Sequence, residues 1–168
     1  TIVPLGPGRI TAPPATLSYS QPTSTAYFAP EVARSFRSGT ATLAVRPIPA
    51  ALQGALAAGP TARNIHLAWR GPVAPVRAGA PAIVSLVMTG EGNLTLWPTP
   101  PVTWPGGARV YPEPTLEKPA SVDGLISGEK EFRFTIVADS AGVFTLPAVH
   151  YPYFDPVTVK VETADAPA

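Results

Sequence analysis

Cysteine is absent from the 168 residues. Disulfides, cysteine-ligated zinc and thiol nucleophiles are therefore excluded. Charge is scarce: Asp, Glu, Lys and Arg make up 14% of the chain, against about 25% in ordinary soluble proteins. The net charge is +1. Over the whole chain, so weak a field does not gather nucleic acid or anionic lipid. The basic residues are dispersed rather than striped, which again disfavours nucleic acid. No apolar run reaches the roughly 18 residues of a membrane span, and no segment reads as a secretory leader. Helical periodicity is nearly missing. "PAALQGALAAGP", residues 49–60, is the one helical candidate, with proline at its start and Gly-Pro at its end. It is short, and Gly54 interrupts it, so it reads equally as a linker.

What is present is proline, 23 residues of it, and an apolar fraction of 45%. That fraction is enough to bury a core, so disorder is not expected. Apolar residues alternate with polar ones at period two. In "NIHLAWR", Ile65, Leu67 and Trp69 share a face. In "AIVSLVM" the row is Val84, Leu86 and Met88, and in "EFRFTIV" it is Phe132, Phe134 and Ile136. "VTVKVE" alternates Val157, Val159 and Val161. "GVFTLPAVHYPYF" is extended with Phe144 and Leu146 inward, and Pro147 and Pro152 restrict its pairing. Turn signals separate these runs, among them "RAGAP", "TGEGN", "WPGGA", "VDGLISGE" and "ADSAG". The pattern predicts an all-β fold, an antiparallel β-sandwich over residues 61–168. Residues 49–60 are expected to link it to a partial second β domain at 1–48. There "GRITAPPATLSYS" and "GTATLAVRPIP" read as two strands joined by a long polar loop. Two strands alone are rarely stable, so 1–48 is expected to be the C-terminal part of a preceding sandwich.

Few residues suggest chemistry. "VMTGEGNLTLWP", residues 87–98, has the glycines of an anion loop. A phosphate cradle needs a helix N-terminus after it; here Pro98 follows, and Glu91 would repel phosphate. A turn between strands is expected instead. His66 and His150 are the only histidines; a metal site would need a carboxylate such as Asp155 beside them. Asp139 and Ser140 lie in a turn with no G-x-S-x-G elbow. Asp123, Asp139 and Asp155 lie in loops without a calcium-loop pattern, and Asp155-Pro156 reads as a turn closed by the Asp side chain. No catalytic residue, metal or cofactor is expected. The aromatics of the proline-rich segments are the candidate partner contacts: Trp104 first, with Trp97 and Tyr111.

Several separated segments together resemble one family. They are "LAVRPIP" with "GALAAG", "GAPAIVSLVMTGEGNLTLWPTPPV", "GGARVYPEP" and "SGEKEFRFTIVADSAGVFTLPAVHYPYFDP". In this order they resemble the BatD proteins, the Bacteroides aerotolerance or oxygen-tolerance family. The resemblance implies a bacterial envelope protein of tandem immunoglobulin-like domains on the periplasmic face of the inner membrane. It implies a membrane anchor outside this segment, and a role in oxygen or stress tolerance. The partners it implies are von Willebrand A proteins and an associated MoxR-type ATPase. The chain would then be a non-catalytic interaction or scaffold module. The alternative is a carbohydrate-binding or adhesion sandwich using the exposed aromatics. After "YFDP" the family pattern continues through further strands, so the sandwich is expected to lack its last strand or to use 157–162 in its place.

Overall fold

The computed structural model describes residues 4–56, 59–72, 75–122 and 124–168. The chain divides into two compact units, with the boundary between Ile48 and Pro49. The smaller unit holds β1 (Gly8–Ala12), β2 (Thr16–Pro22), β3 (Glu31–Arg37) and β4 (Ala41–Val45). The larger unit begins with α1 (Ala50–Leu56) and continues through β5 (Arg63–Arg70), β6 (Pro81–Glu91), β7 (Ala108–Pro112), β8 (Leu116–Val122), β9 (Leu125–Ala138), β10 (Val149–Asp155) and β11 (Lys160–Ala166).

In the larger unit the period-two rows become one buried face. β5, β6 and β9 lie side by side and antiparallel. The fourth row is shared: β8 pairs with residues 125–131 of the long β9, and β7 with residues 134–138. Ile65, Leu67, Leu86, Met88, Phe132 and Phe134 are all buried on this sheet. The antiparallel β10–β11 hairpin supplies Val149, Tyr151, Tyr153, Ala164 and Ala166 to the same core. The fold is therefore all-β, antiparallel and sandwich-like. Burying each large apolar side chain contributes about 1.5–3 kcal/mol, so the joint core dominates the stability of this unit.

The chain changes layers at the start of β5. Ala62 N donates to Phe154 O (3.0 Å) and Phe154 N donates to Pro60 O (2.9 Å), a short parallel contact with β10. A bulge between Arg63 and His66, with Asn64 at φ 51°, then carries the chain into the other sheet. Gly90 of β6 passes beneath this bulge. A Cβ there would lie 2.8 Å from Ile65 Cδ1 and 3.0 Å from Arg63 O, so a side chain would force the strands apart.

Three readings are refined. The stretch 49–60, read equally as a short helix and as a linker, carries α1, which buries Leu56. The last strand is not 157–162 but 160–166. Asp155 is buried, and its Oδ1 accepts from Val157 N (2.7 Å) and Thr158 N (3.4 Å). This side-chain turn draws Val157 and Val159 out of the ladder despite their β propensity. The third change lies in "VDGLISGE", read as a turn: Leu125–Glu129 is already part of β9.

The smaller unit is one antiparallel ribbon rather than two strands and a loop. β1 pairs with β4 and β2 with β3, and paired residue numbers sum to 53 in both ladders. The register persists across the gap between them, where Ser38 N donates to Ala15 O (2.9 Å) and Ala15 N donates to Ser38 Oγ (2.9 Å). Pro13 and Pro14 lack the N–H groups that would make the ladder continuous. At about 3.3 Å per residue, the ribbon runs about 50 Å from Gly8 to Thr23.

Candidate interaction surface

The glycine segment 87–98 resolves into the end of β6 and a 3-10 turn at Leu94–Leu96. Gly92, at φ 139°, donates its N–H to Ile126 O (2.8 Å). The turn is clamped by a buried cation. Lys130 Nζ donates to Leu94 O (2.8 Å) and to Trp97 O (3.0 Å), and lies 3.0 Å from Glu117 Oε1. The hydrogen bond from Lys130 lowers the Glu117 pKa below the ordinary carboxylate value. Each donor of the ammonium therefore has an acceptor, as a charge in that position requires. The loop's backbone is engaged with the protein itself, in keeping with a structural turn.

This clamp fixes Trp97, which is 2% exposed within the core. Trp97 is thus not a surface contact, which corrects the sequence expectation. Trp104 is also held inward. Its ring lies 4.9 Å from Phe134 and 5.6 Å from Trp69, centroid to centroid, and Trp69 Nε1 donates to Pro147 O (2.8 Å). Of the three aromatics singled out, only Tyr111 is exposed. They do not form a shared platform. Prolines around Trp97 and Trp104 suggest open loops, whereas both rings pack against the core.

The histidines stand apart from any ligand set. His150 Nδ1 lies 2.6 Å from Asp165 Oδ1, its cross-strand neighbour on the exposed side of β10–β11. His66 is exposed on β5. Asp155 is engaged in its own turn, with Arg63 Nε 3.9 Å away. Asp139 pairs with Arg109 at 3.4 Å, and Asp123 lies outside the described residues. Among the described residues no three His, Asp or Glu side chains converge as a metal site would require. A recess of about 580 Å³ opens between residues 75–80 and 138–146; among the described residues that line it, Ser140 carries the one hydroxyl and Arg77 the one charge. Tyr153, buried and donating to Glu162 Oε2 (2.8 Å), has its pKa pushed up to about 12 by burial first and by that carboxylate second.

An uncovered apolar feature lies on the ribbon. On β2 and β3 one face carries Leu17, Tyr19, Val32 and Phe36, together with Gln21 and Arg34. The four apolar side chains are 41–64% exposed. Tyr19 and Phe36 stack with centroids 6.0 Å apart and planes at 6°, a diagonal cross-strand pair. The opposite face carries Thr16, Ser18, Ser20 and Ser35 with Glu31 and Arg37. Sequence reasoning misses this face because it places β3, "EVARSFR", in a polar loop. Its signal was Val32 and Phe36 flanking Arg34 at period two.

The fold thus defines an all-β protein with an uncovered amphipathic ribbon. Comparison of the chain with protein-family models, curated proteins and solved structures gives no match.

Proposed function

We propose that the chain is a non-catalytic interaction module of a BatD-like oxygen- or stress-tolerance protein, its larger unit an immunoglobulin-like sandwich. In this reading it sits on the periplasmic face of the inner membrane and works with von Willebrand A proteins and their MoxR-type ATPase. The ordered motifs of residues 43–156 support the family reading. The observation that carries the interaction reading is the β2–β3 face, where Leu17, Tyr19, Val32 and Phe36 are all exposed on one side of the ribbon, interspersed with Gln21 and Arg34. A two-stranded ribbon with one apolar side gains stability only when a further layer covers that side.

The test is cross-linked co-purification from a bacterial envelope carrying these partners. The parent chain should enrich von Willebrand A proteins, and Leu17→Asp with Phe36→Asp should abolish that enrichment. Equal capture by parent and variant, or no such protein captured at all, would reject the reading.

A further inference from the structure

The core of the larger unit tapers at one end. Along β6 the inward row runs Met88, Leu86, Val84, Ala82, and along β9 it runs Phe132, Phe134, Ile136, Ala138. Each row ends on a methyl group, and these two alanines line the recess together with Val84 and Ile136. Phe144 and Leu146, also on its lining, are only half-buried. Space that large side chains fill elsewhere in the sandwich is open here, about 580 Å³ of it. An apolar cavity of about 150 Å³ admits one benzene ring, so the recess has room for two rings and the backbone that carries them.

The tip of the ribbon has the converse, rings without a core. From Pro22 to Pro30 the sequence "PTSTAYFAP" holds no charge, and Tyr27 is 95% and Phe28 92% exposed. The two rings meet edge to face, 5.1 Å apart at 85°. They stand on a held turn: Thr23 N and Thr23 Oγ1 both donate to Pro30 O, at 3.0 and 2.9 Å, and Ala29 N donates to Ala26 O (3.0 Å). A turn already held loses less freedom when its rings are buried. The N–H groups of Tyr27 and Phe28 have no acceptor among the described residues. A buried tip needs one, and the recess carries the Ser140 hydroxyl.

We infer that the Tyr27–Phe28 tip of one copy of this chain docks in the recess of a second copy. Charge agrees with the fit. The charge nearest the tip in sequence is the acid Glu31, and the one charged residue lining the recess is Arg77. Neither is ion-paired among the described residues, and Asp139, next to Ser140, is already paired with Arg109. A small apolar molecule would enter the recess too, but it would leave the two rings of the tip in water; one contact between copies covers both features. The contact is heterologous, so each copy keeps a tip or a recess for the next, and copies join in open runs or close in rings. Tip and recess are both separate from the β2–β3 face of the partner reading above, and either reading can fail alone.

The experiment is sedimentation of the whole chain at concentrations up to about 1 mM, because a contact this small is weak. The average mass of the parent should rise with concentration. Tyr27→Ser with Phe28→Ser should weaken the association about tenfold or more, with an unchanged circular dichroism spectrum because both side chains lie outside every core. Ala82→Phe, which fills the recess, should weaken it comparably, and the milder Ala138→Leu should act in the same direction. The serine variant keeps its recess and the Ala82→Phe variant keeps its tip, so a mixture of the two should form pairs that neither forms alone. Arg77→Glu should weaken the association about two- to threefold, and Glu31→Arg in the same chain should restore it. A parent that stays single at every concentration, a serine variant that associates as the parent does, or a mixture that yields no pairs would each overturn the inference. So would a loss of association in Leu17→Asp with Phe36→Asp alone, which would place self-association on the ribbon face instead.

Discussion

The two units are built from the same ladder and hold together for different reasons. In the ribbon, β2 and β3 are exposed along their whole length. In the larger unit, Val84 to Met88 of β6 is continuously buried. Both satisfy backbone groups between strands. A backbone hydrogen bond is worth only about 0.5–1.5 kcal/mol net, because water competes for it, and that gain is set against roughly 1–2 kcal/mol of entropy per ordered residue. Ladders alone therefore hold a shape but not a stable domain. The second layer, with Tyr151 and Tyr153 facing Leu86 and Phe134 in one core, is what the larger unit has and the ribbon lacks.

That contrast can be broken most severely at the centre of the sandwich. Leu86→Ala, at a side chain with 0% exposure, should cost about 3–5 kcal/mol, read by urea unfolding; a loss below about 1 kcal/mol would mean the core is looser than described. Next comes the clamp. Lys130→Met removes the donor shared by Leu94 O and Trp97 O and leaves Glu117 without its cation. A loss of about 2–3 kcal/mol is expected. The Glu117 pKa should return toward 4.5, measurable by carbon-13 NMR titration of the carboxyl.

The pH dependence sharpens the contrast further. Tyr153 titrates near 12 in the fold and near 10 when unfolded. Between those values the unfolded chain has lost the proton that the folded one keeps, so stability falls as pH rises from about 10 to about 12. Tyr153→Phe should flatten that decline in denaturation curves taken at successive pH values, and an unaltered slope would count against the assignment. The smallest effect belongs to the ribbon. Phe36→Ser should change the unfolding midpoint of the larger unit by the equivalent of less than about 0.5 kcal/mol, while amide exchange in β2 and β3 should outpace that in β6 and β9 in parent and variant alike.

Much of the larger unit was legible in sequence, and the reason is alternation. Ile65–Leu67, Val84–Leu86–Met88 and Phe132–Phe134–Ile136 each bury one face and so write the period into the chain. β8, "LEKPASV", writes nothing comparable: it is an edge strand, exposed from Leu116 to Ser121 and bearing Pro119, and its pairing with β9 sets its place. β11 was read three residues early because Val157 and Val159 alternate well, yet the Asp155 carboxylate competes for their segment. Val159 even adopts φ 56°, a costly value for a β-branched residue. The contact residues were legible only as aromatic composition. Whether Trp97 points in or out depends on Lys130, which lies 33 positions away in sequence, and no local pattern encodes that meeting.

The unbroken register across the proline gap of the ribbon has a mechanical corollary. Pro13 and Pro14 weaken the ladder there, while the Ala15–Ser38 pair keeps the two arms from sliding past one another. A joint of that kind yields to bending and resists shear. A load applied at Tyr27 and Phe28 would swing the outer segment like a forearm about an elbow, with each cross-strand partner still opposite its mate when the load is released.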